Sequence, residues 1–237
     1  MDSPPETAGN DEEKDMYLKQ LSLGPMQNFV YLIGDPATKE AAVVDPAWNV
    51  PAILKQLKDD GYRLTHVLLS HGHYDHINGV EDIVDQSDAT VCAQAVELEQ
   101  FIPEGAGGLV IPRSSLKKTA TGQAVRVGNL DITLIHTPGH TPGSQCMLIK
   151  TPGTGPGLLI TGDTLFVGTC GRCDLPYSNP DDLFRSLTQL KKLDDGTVFY
   201  PGHDYGATPT NTLKNEKRTN PFLLADSIDQ FLQMVHH

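Results

Sequence analysis

The sequence predicts an α/β fold in which short strands, closed by glycine- or proline-marked turns, alternate with amphipathic helices. Three observations predict it. Strand-like apolar runs such as Val67-Leu68-Leu69, Leu158-Leu159-Ile160 and Val198-Phe199-Tyr200 each lead into turn residues. Val50, Ile53, Leu54 and Leu57 recur at helical spacing, as do Leu183, Phe184, Leu187 and Leu190. Twenty-two glycines and seventeen prolines suit a loop-rich sheet protein, and 237 residues are enough for one large core.

Taken in order, residues 16–23, 28–33 and 40–44 read as strands, 50–58 as a helix packed on a sheet, and 64–69 as a strand holding His66 as a packing residue. Helices are predicted over 77–84, with Val80, Ile83 and Val84 facing the core, and over 93–101, with Val96, Leu98 and Phe101 inward. Leu130 to Ile135 alternates as a strand. The helix from Asn179 is the best marked: Asn179 caps, Pro180 suits the first turn, Asp181-Asp182 open it and Lys191-Lys192 close it, the charge order that complements the helix dipole. Residues 212–217 and 222–235 add one or two helices. The acidic stretch 1–15 reads as a disordered lead-in, and 16–237 as a single domain with a short helical tail.

Composition excludes several classes. A net charge of −12 offers no basic stripe for a phosphate backbone, so nucleic acid is not an expected partner. No apolar run approaches the roughly 20 residues of a membrane span, and no signal peptide opens the chain, so a soluble, cytoplasmic protein is expected. Four cysteines do not suggest a disulfide framework. Cys170-Gly171-Arg172-Cys173 is formally C-x-x-C, but a zinc knuckle would need a second pair, and a thioredoxin-like motif would open a helix. The terminal His236-His237 reads as a mobile pair or a tag.

The chemistry concentrates elsewhere. Ser70-His71-Gly72-His73-Tyr74-Asp75-His76 places three histidines and an aspartate directly after a strand-like run, a density that points to a divalent metal. Further ligand-type residues follow later strand-like runs: His140 in T-P-G-H-T-P-G (137–143), Asp163 in T-G-D-T-L-F (161–166) and His203 in P-G-H-D-Y (201–205). Four loops on one edge would thus supply His71, His73, Asp75, His76, His140, Asp163 and His203, more than one tetrahedral ion needs. His136 is assigned to the core or to orienting a ligand. No G-x-S-x-G elbow is present, which is consistent with direct attack by water.

In these four ordered motifs the chain resembles the metallo-β-lactamase superfamily, and within it glyoxalase II (hydroxyacylglutathione hydrolase) and the persulfide dioxygenases. The resemblance implies an αββα sandwich, two facing mixed sheets with helices outside and the site at one edge. It implies that His71, His73 and His140 hold one metal, that Asp75, His76 and His203 hold a second, and that Asp163 bridges them. Asp45, before Pro46, resembles an aspartate that orients ligands; otherwise it is a turn acid. The implied cofactors are two divalent ions, zinc foremost, with iron or manganese accepted by the same donors. The implied reaction is cleavage of a thioester by metal-activated water, Asp75 orienting that water.

The implied substrate is a small-molecule thiol conjugate, glutathione-derived in the families that the motifs resemble. Gly171-Arg172 followed by Asp174 resembles the persulfide dioxygenase loop whose arginine contacts glutathione, and Tyr205 resembles a tyrosine near it; the other reading of Arg172 is an ion pair with Asp174. After His203 only 34 residues remain, where longer glyoxalase II enzymes add a helical substrate domain. The alternative reaction is that of a mononuclear iron dioxygenase acting on glutathione persulfide, using His71, His140 and Asp163. A homodimer is compatible with either.

Overall fold

The computed structural model describes residues 16–102, 113–150 and 155–235. The predicted lead-in over 1–15 and the His236-His237 pair lie outside the described residues. Strands β1 (Tyr17–Leu23), β2 (Asn28–Asp35), β3 (Glu40–Val44), β4 (Arg63–Leu68), β5 (Thr90–Gln94) and β6 (Leu116–Thr119) form one sheet in that order. It is antiparallel from β1 to β3 and parallel from β3 to β6. The second sheet uses β7 (Ala124–Val127), β8 (Leu130–His136), β9 (Gln145–Ile149) and β10 (Leu158–Gly162). After a small ribbon of β11 (Leu165–Phe166) and β12 (Thr169–Cys170), it adds β13 (Val198–Pro201) and β14 (Asn211–Thr212), in the order β14-β13-β10-β9-β8-β7. Only β10 and β13 are parallel in it, so both sheets are mixed.

Period-two side chains explain why the sheets face one another. In β2 the residues Phe29, Tyr31 and Ile33 enter the layer between the sheets, where they meet Ile132, Leu134 and Met147 from the second sheet. Their neighbours Val30 and Leu32 point the other way, against helix α1 (Val50–Asp59) and its Ile53 and Leu57. All eight positions of β2 are buried as a result. On the far side, Cys146, Leu148 and Leu159 pack on Leu183, Leu187 and Leu190 of the helix over Pro180–Leu190 and on Phe231 of the last helix. Helices, sheet, sheet and helices therefore follow in layers, the αββα sandwich expected.

Three helix predictions are corrected. The segment predicted over 77–84 forms two short helices, α2 (Tyr74–Ile77) and α3 (Val80–Asp85), parted at Asn78 and Gly79. Gly79 donates its N–H to Pro46 O at 3.1 Å and lies so close that a Cβ there would stand 2.8 Å from the same oxygen. The prediction over 93–101 merged the end of β5 with a π-type turn at Glu97–Phe101. Val91, Cys92 and Ala93 are buried on both faces of a central strand, where alternation disappears and period alone cannot tell strand from helix. The tail is likewise divided, into α5 (Leu213–Thr219), α6 (Pro221–Leu224) and α7 (Ile228–Val235), after α4 (Pro180–Leu190).

Helix α4 links the fold to the site. Asn179 Oδ1 accepts the Asp182 N–H at 3.1 Å, and the Asn179 N–H donates to Gly139 O at 2.7 Å, beside His140. Asn179→Ala should therefore cost about 1 kcal/mol of stability in urea unfolding, and Asn179→Ser should recover most of it.

Candidate metal centre

Every ligand-type residue singled out above sits where a strand runs out. β3 and β4 end side by side and release Asp45 and the 70–76 loop; β8, β10 and β13 of the other sheet release His140, Asp163 and His203. Backbone bonds join these loops: Gln145 N to Ser70 O, Gly202 N to Gly162 O and Phe29 N to Gly202 O, each at 2.8 Å. Two glycines permit the approach. Gly162 sits at φ 48°, and a Cβ on Gly202 would stand 2.2 Å from Asp163 Oδ1.

The structure brings all seven predicted ligands together. Donor atoms of His71, His73 and His140 lie within 4.8 Å of one another, and so do those of Asp75, His76 and His203. His73 Nδ1 faces His140 Nε2 at 2.9 Å, and His76 Nε2 faces His203 Nε2 at 3.1 Å. Asp163 stands between the two sets: Oδ2 is 3.5 Å from His140 Nε2 and 3.3 Å from His203 Nε2, while Oδ1 is 3.5 Å from His76 Nε2. His71 Nε2 and Asp163 Oδ1 are buried with no hydrogen-bond partner, an arrangement whose cost a cation shared by both would remove. The donor set fits a metal site.

The rings are aimed by what holds their other nitrogen. His140 Nδ1 bonds to Arg172 O and His203 Nδ1 to Met26 O, both at 2.8 Å, which leaves each Nε2 turned inward. His71 Nδ1 lies 3.0 Å from Ser70 Oγ. Asp45 is held at φ 50°, a conformation costly for a non-glycine residue. Its carboxylate takes the Ser70 N–H at 2.7 Å, the Ser70 hydroxyl and His76 Nδ1 at 3.1 Å. Asp45 also falls within 4.8 Å of His71 and His76 donors, but its oxygens are already engaged by Ser70 and His76. Asn28 Nδ2 anchors Asp75 Oδ2 at 2.9 Å.

Charge differs between the two sets. Burial holds the His71 and His140 pKa values below the usual histidine range and takes His73 to about 4, so this set offers neutral lone pairs. At His76 burial acts in the same direction, but Asp163, Asp45 and Asp75 outweigh it and raise the pKa to about 9. His203 is raised too, by Asp163 against the effect of burial. Asp163 is itself buried, yet His76, His203 and His71 keep it well below the carboxylate range.

Arg172 and Tyr205, the predicted substrate contacts, line the adjoining cleft of about 740 Å³. Tyr205 stacks on His203 with centroids 4.5 Å apart and planes at 8°. Arg172 lies on the wall, but its guanidinium already forms a two-point ion pair with Asp174, both bonds 2.9 Å, as the second reading of it anticipated. His136 bonds through Nε2 to Pro142 O, and His66 lies beside Thr65; neither joins the cluster. All four cysteines are free, and burial raises the Cys170 thiol far above its usual range and Cys173 to about 11, which opposes thiolate chemistry.

Glu97 was not anticipated. Its buried carboxylate accepts the Gly72 N–H at 2.6 Å, the Gly143 N–H at 2.7 Å and the Thr141 hydroxyl at 2.9 Å, and so ties the loop of His71 and His73 to the loop of His140. Burial pushes its pKa up to about 7 against those three bonds. No sequence pattern marks it; its signal is spatial. Glu97→Gln would set an amide N–H₂ against one backbone donor, so chemical denaturation should show a loss of about 1–3 kcal/mol. Metal competition titrations should show weaker retention at the His71/His73/His140 set.

Residues 23–203 match the Metallo-beta-lactamase superfamily profile. The chain is 32% identical over 230 residues to a hydroxyacylglutathione hydrolase of Methylobacterium nodulans, covering 84% of this chain and 83% of the relative. It is 30% identical over 208 residues to a probable polyketide biosynthesis zinc-dependent hydrolase of Bacillus velezensis, covering 86% and 85%. Among solved structures, ETHE1 from Myxococcus xanthus superposes with a TM-score of 0.79 at 32% identity, over 93% of this chain and 90% of that one. With the αββα layers and the histidine–aspartate edge in place, these matches show that the chain belongs to the metallo-β-lactamase superfamily.

Proposed function

We propose that the protein is a two-metal hydrolase that cleaves a thioester, of the hydroxyacylglutathione kind, with zinc as the first candidate metal and iron or manganese next. The observation that carries this reading is the position of Asp163 between two complete donor triads. His71, His73 and His140 would hold one ion, Asp75, His76 and His203 the other, and Asp163 would touch both. Bound there, divalent ions would lower the pKa of a water toward neutrality and polarise a carbonyl. Asp75, fixed by Asn28, would accept a hydrogen bond from that water and so orient it. Asp45 would keep His76 turned inward through Nδ1. On the cleft wall, Arg172 and Tyr205 would contact the thiol carrier.

Similarity to a hydroxyacylglutathione hydrolase supports both the thioester and a glutathione-derived carrier. A second reading, a mononuclear iron dioxygenase acting on glutathione persulfide, is favoured by the placement of the Gly171-Arg172 loop at the cleft and by the similarity to ETHE1. There His71, His140 and Asp163 alone would hold iron.

Elemental analysis combined with assays on S-lactoylglutathione and glutathione persulfide separates the two. Two metal equivalents per chain are expected, falling to about one in His203→Ala, with Asp163→Ala losing full loading and turnover. One tightly held iron, and oxygen consumption with the persulfide, would establish the second reading instead. For the carrier, Arg172→Ala should raise KM at unchanged metal content. Loss of a charge-assisted bond is worth roughly 1.5–3 kcal/mol, and solvent exposure with Asp174 pairing places the expected fall in kcat/KM near the lower end, about tenfold.

A further inference from the structure

The large hydrophobic side chains left exposed among the described residues are Met26, Tyr74, Tyr177, Tyr205 and Leu224, and the first four line one cleft. Tyr74 is 59% exposed, Tyr205 51%, Tyr177 50% and Met26 46%. Single exposed apolar residues are ordinary, whereas four gathered around one opening mark a recognition surface. The arrangement continues inward. Tyr177 meets Phe101 edge-on at 5.8 Å, and Phe101 meets His73 edge-on at 5.1 Å. On the other side Tyr205 lies 5.3 Å from Phe166, itself 6.0 Å from His203. One aromatic pair thus descends to each donor triad.

Two details show that the rim is built. Tyr177 is held at φ 68°, a left-handed backbone that is costly for a non-glycine residue. Tyr74 stands edge-on to Trp48 at 6.3 Å, and the Trp48 indole N–H is fixed on Asn28 Oδ1 at 2.8 Å, the same asparagine that anchors Asp75.

We infer that the acyl group of the substrate is bulky and apolar, an aryl or arylalkyl group that lies against the Tyr177–Phe101 pair and Tyr74, across the cleft from the Tyr205 side that the thiol carrier takes, with its carbonyl at the donor triads. A lactoyl-sized group is too small to cover these rings, whereas a flat apolar body stacks on them and keeps water from the carbonyl's surroundings. The inference rests on the thioester reading and specifies its acyl side. Water adds across the acyl C–S bond: its hydroxyl goes to the carbonyl carbon and a proton to the departing sulfur, releasing an arylalkyl carboxylic acid and a thiol with no change of oxidation state.

The test uses the metal-loaded, full-length protein with lactoyl and phenylacetyl thioesters of one thiol, N-acetylcysteamine and then glutathione. Phenylacetyl should be preferred by at least tenfold in kcat/KM with both thiols, and Tyr177→Ala and Tyr74→Ala should each reduce that ratio severalfold. Tyr177→Phe should keep it. Metal content and thermal unfolding verify that each variant is folded. An equal rate on both acyl groups, or a ratio untouched by the tyrosine variants, would overturn the inference. If neither thioester is cleaved, the thioester reading fails, and calorimetry with the non-hydrolysable ketone analogue of the phenylacetyl thioester decides the apolar site by itself. Binding that weakens about tenfold in Tyr177→Ala would uphold it, and no binding, or equal binding by the variant, would reject it.

Discussion

A carboxylate buried among imidazoles is the constraint on which the rest of this structure depends. Asp163 is 9% exposed, and an ionised group in such a place is tolerated only where opposite charge and hydrogen bonds surround it. Its partners come from both sheets: His71 and His76 from the loop after β4, His140 and His203 from loops of the second sheet. Neither sheet by itself completes that environment. The layer of Phe29, Tyr31, Ile132, Leu134 and Met147 between them therefore does more than bury apolar area, since it sets the separation at which the two groups of loops meet.

Holding the loops is a separate problem from bringing them together, and the chain solves it with buried polar groups used in pairs. Asp45 joins Ser70 to His76, and Glu97 joins Gly72 to Thr141 and Gly143. Main-chain oxygens of Met26 and Arg172 fix two of the rings. Each of these groups restrains a residue far away in sequence, so the donor atoms inherit the rigidity of the strands rather than the freedom of loops.

How much of this was legible in the sequence follows from where each signal is stored. The seven ligand-type residues stand out because they are dense or lie in glycine-marked turns after apolar runs, and the structure gathers all seven. Helix α4 was legible because Asn179, Pro180 and Asp181-Asp182 mark its start locally. The break at Gly79 was not, since it depends on Pro46 standing beside it, and β5 resembled a helix because both of its faces are buried. Glu97 lies in no motif, and its three donors come from two other loops. Arg172 and Asp174 stand two apart in the sequence, which leaves an ion pair as one of two readings, and the fold shows that the pair forms.

The aromatic rim belongs to the same class of hidden features, because Met26, Tyr74, Tyr177 and Tyr205 are spread over much of the chain and converge only in three dimensions. Its position has a physical consequence. The donor triads are locked by bonds between loops, so changes there disturb several elements together, while the rim side chains stand half-exposed around the cleft. Substitution of Tyr177, whose ring meets Phe101, can thus alter which acyl group is held, whereas Tyr205, stacked on His203, and Tyr74, between His73 and Asp75 in the chain, are tied to the donors. Donors fixed by bonds between loops, beneath a rim drawn from separate segments, let one αββα scaffold keep its centre while the shape of the cleft mouth varies.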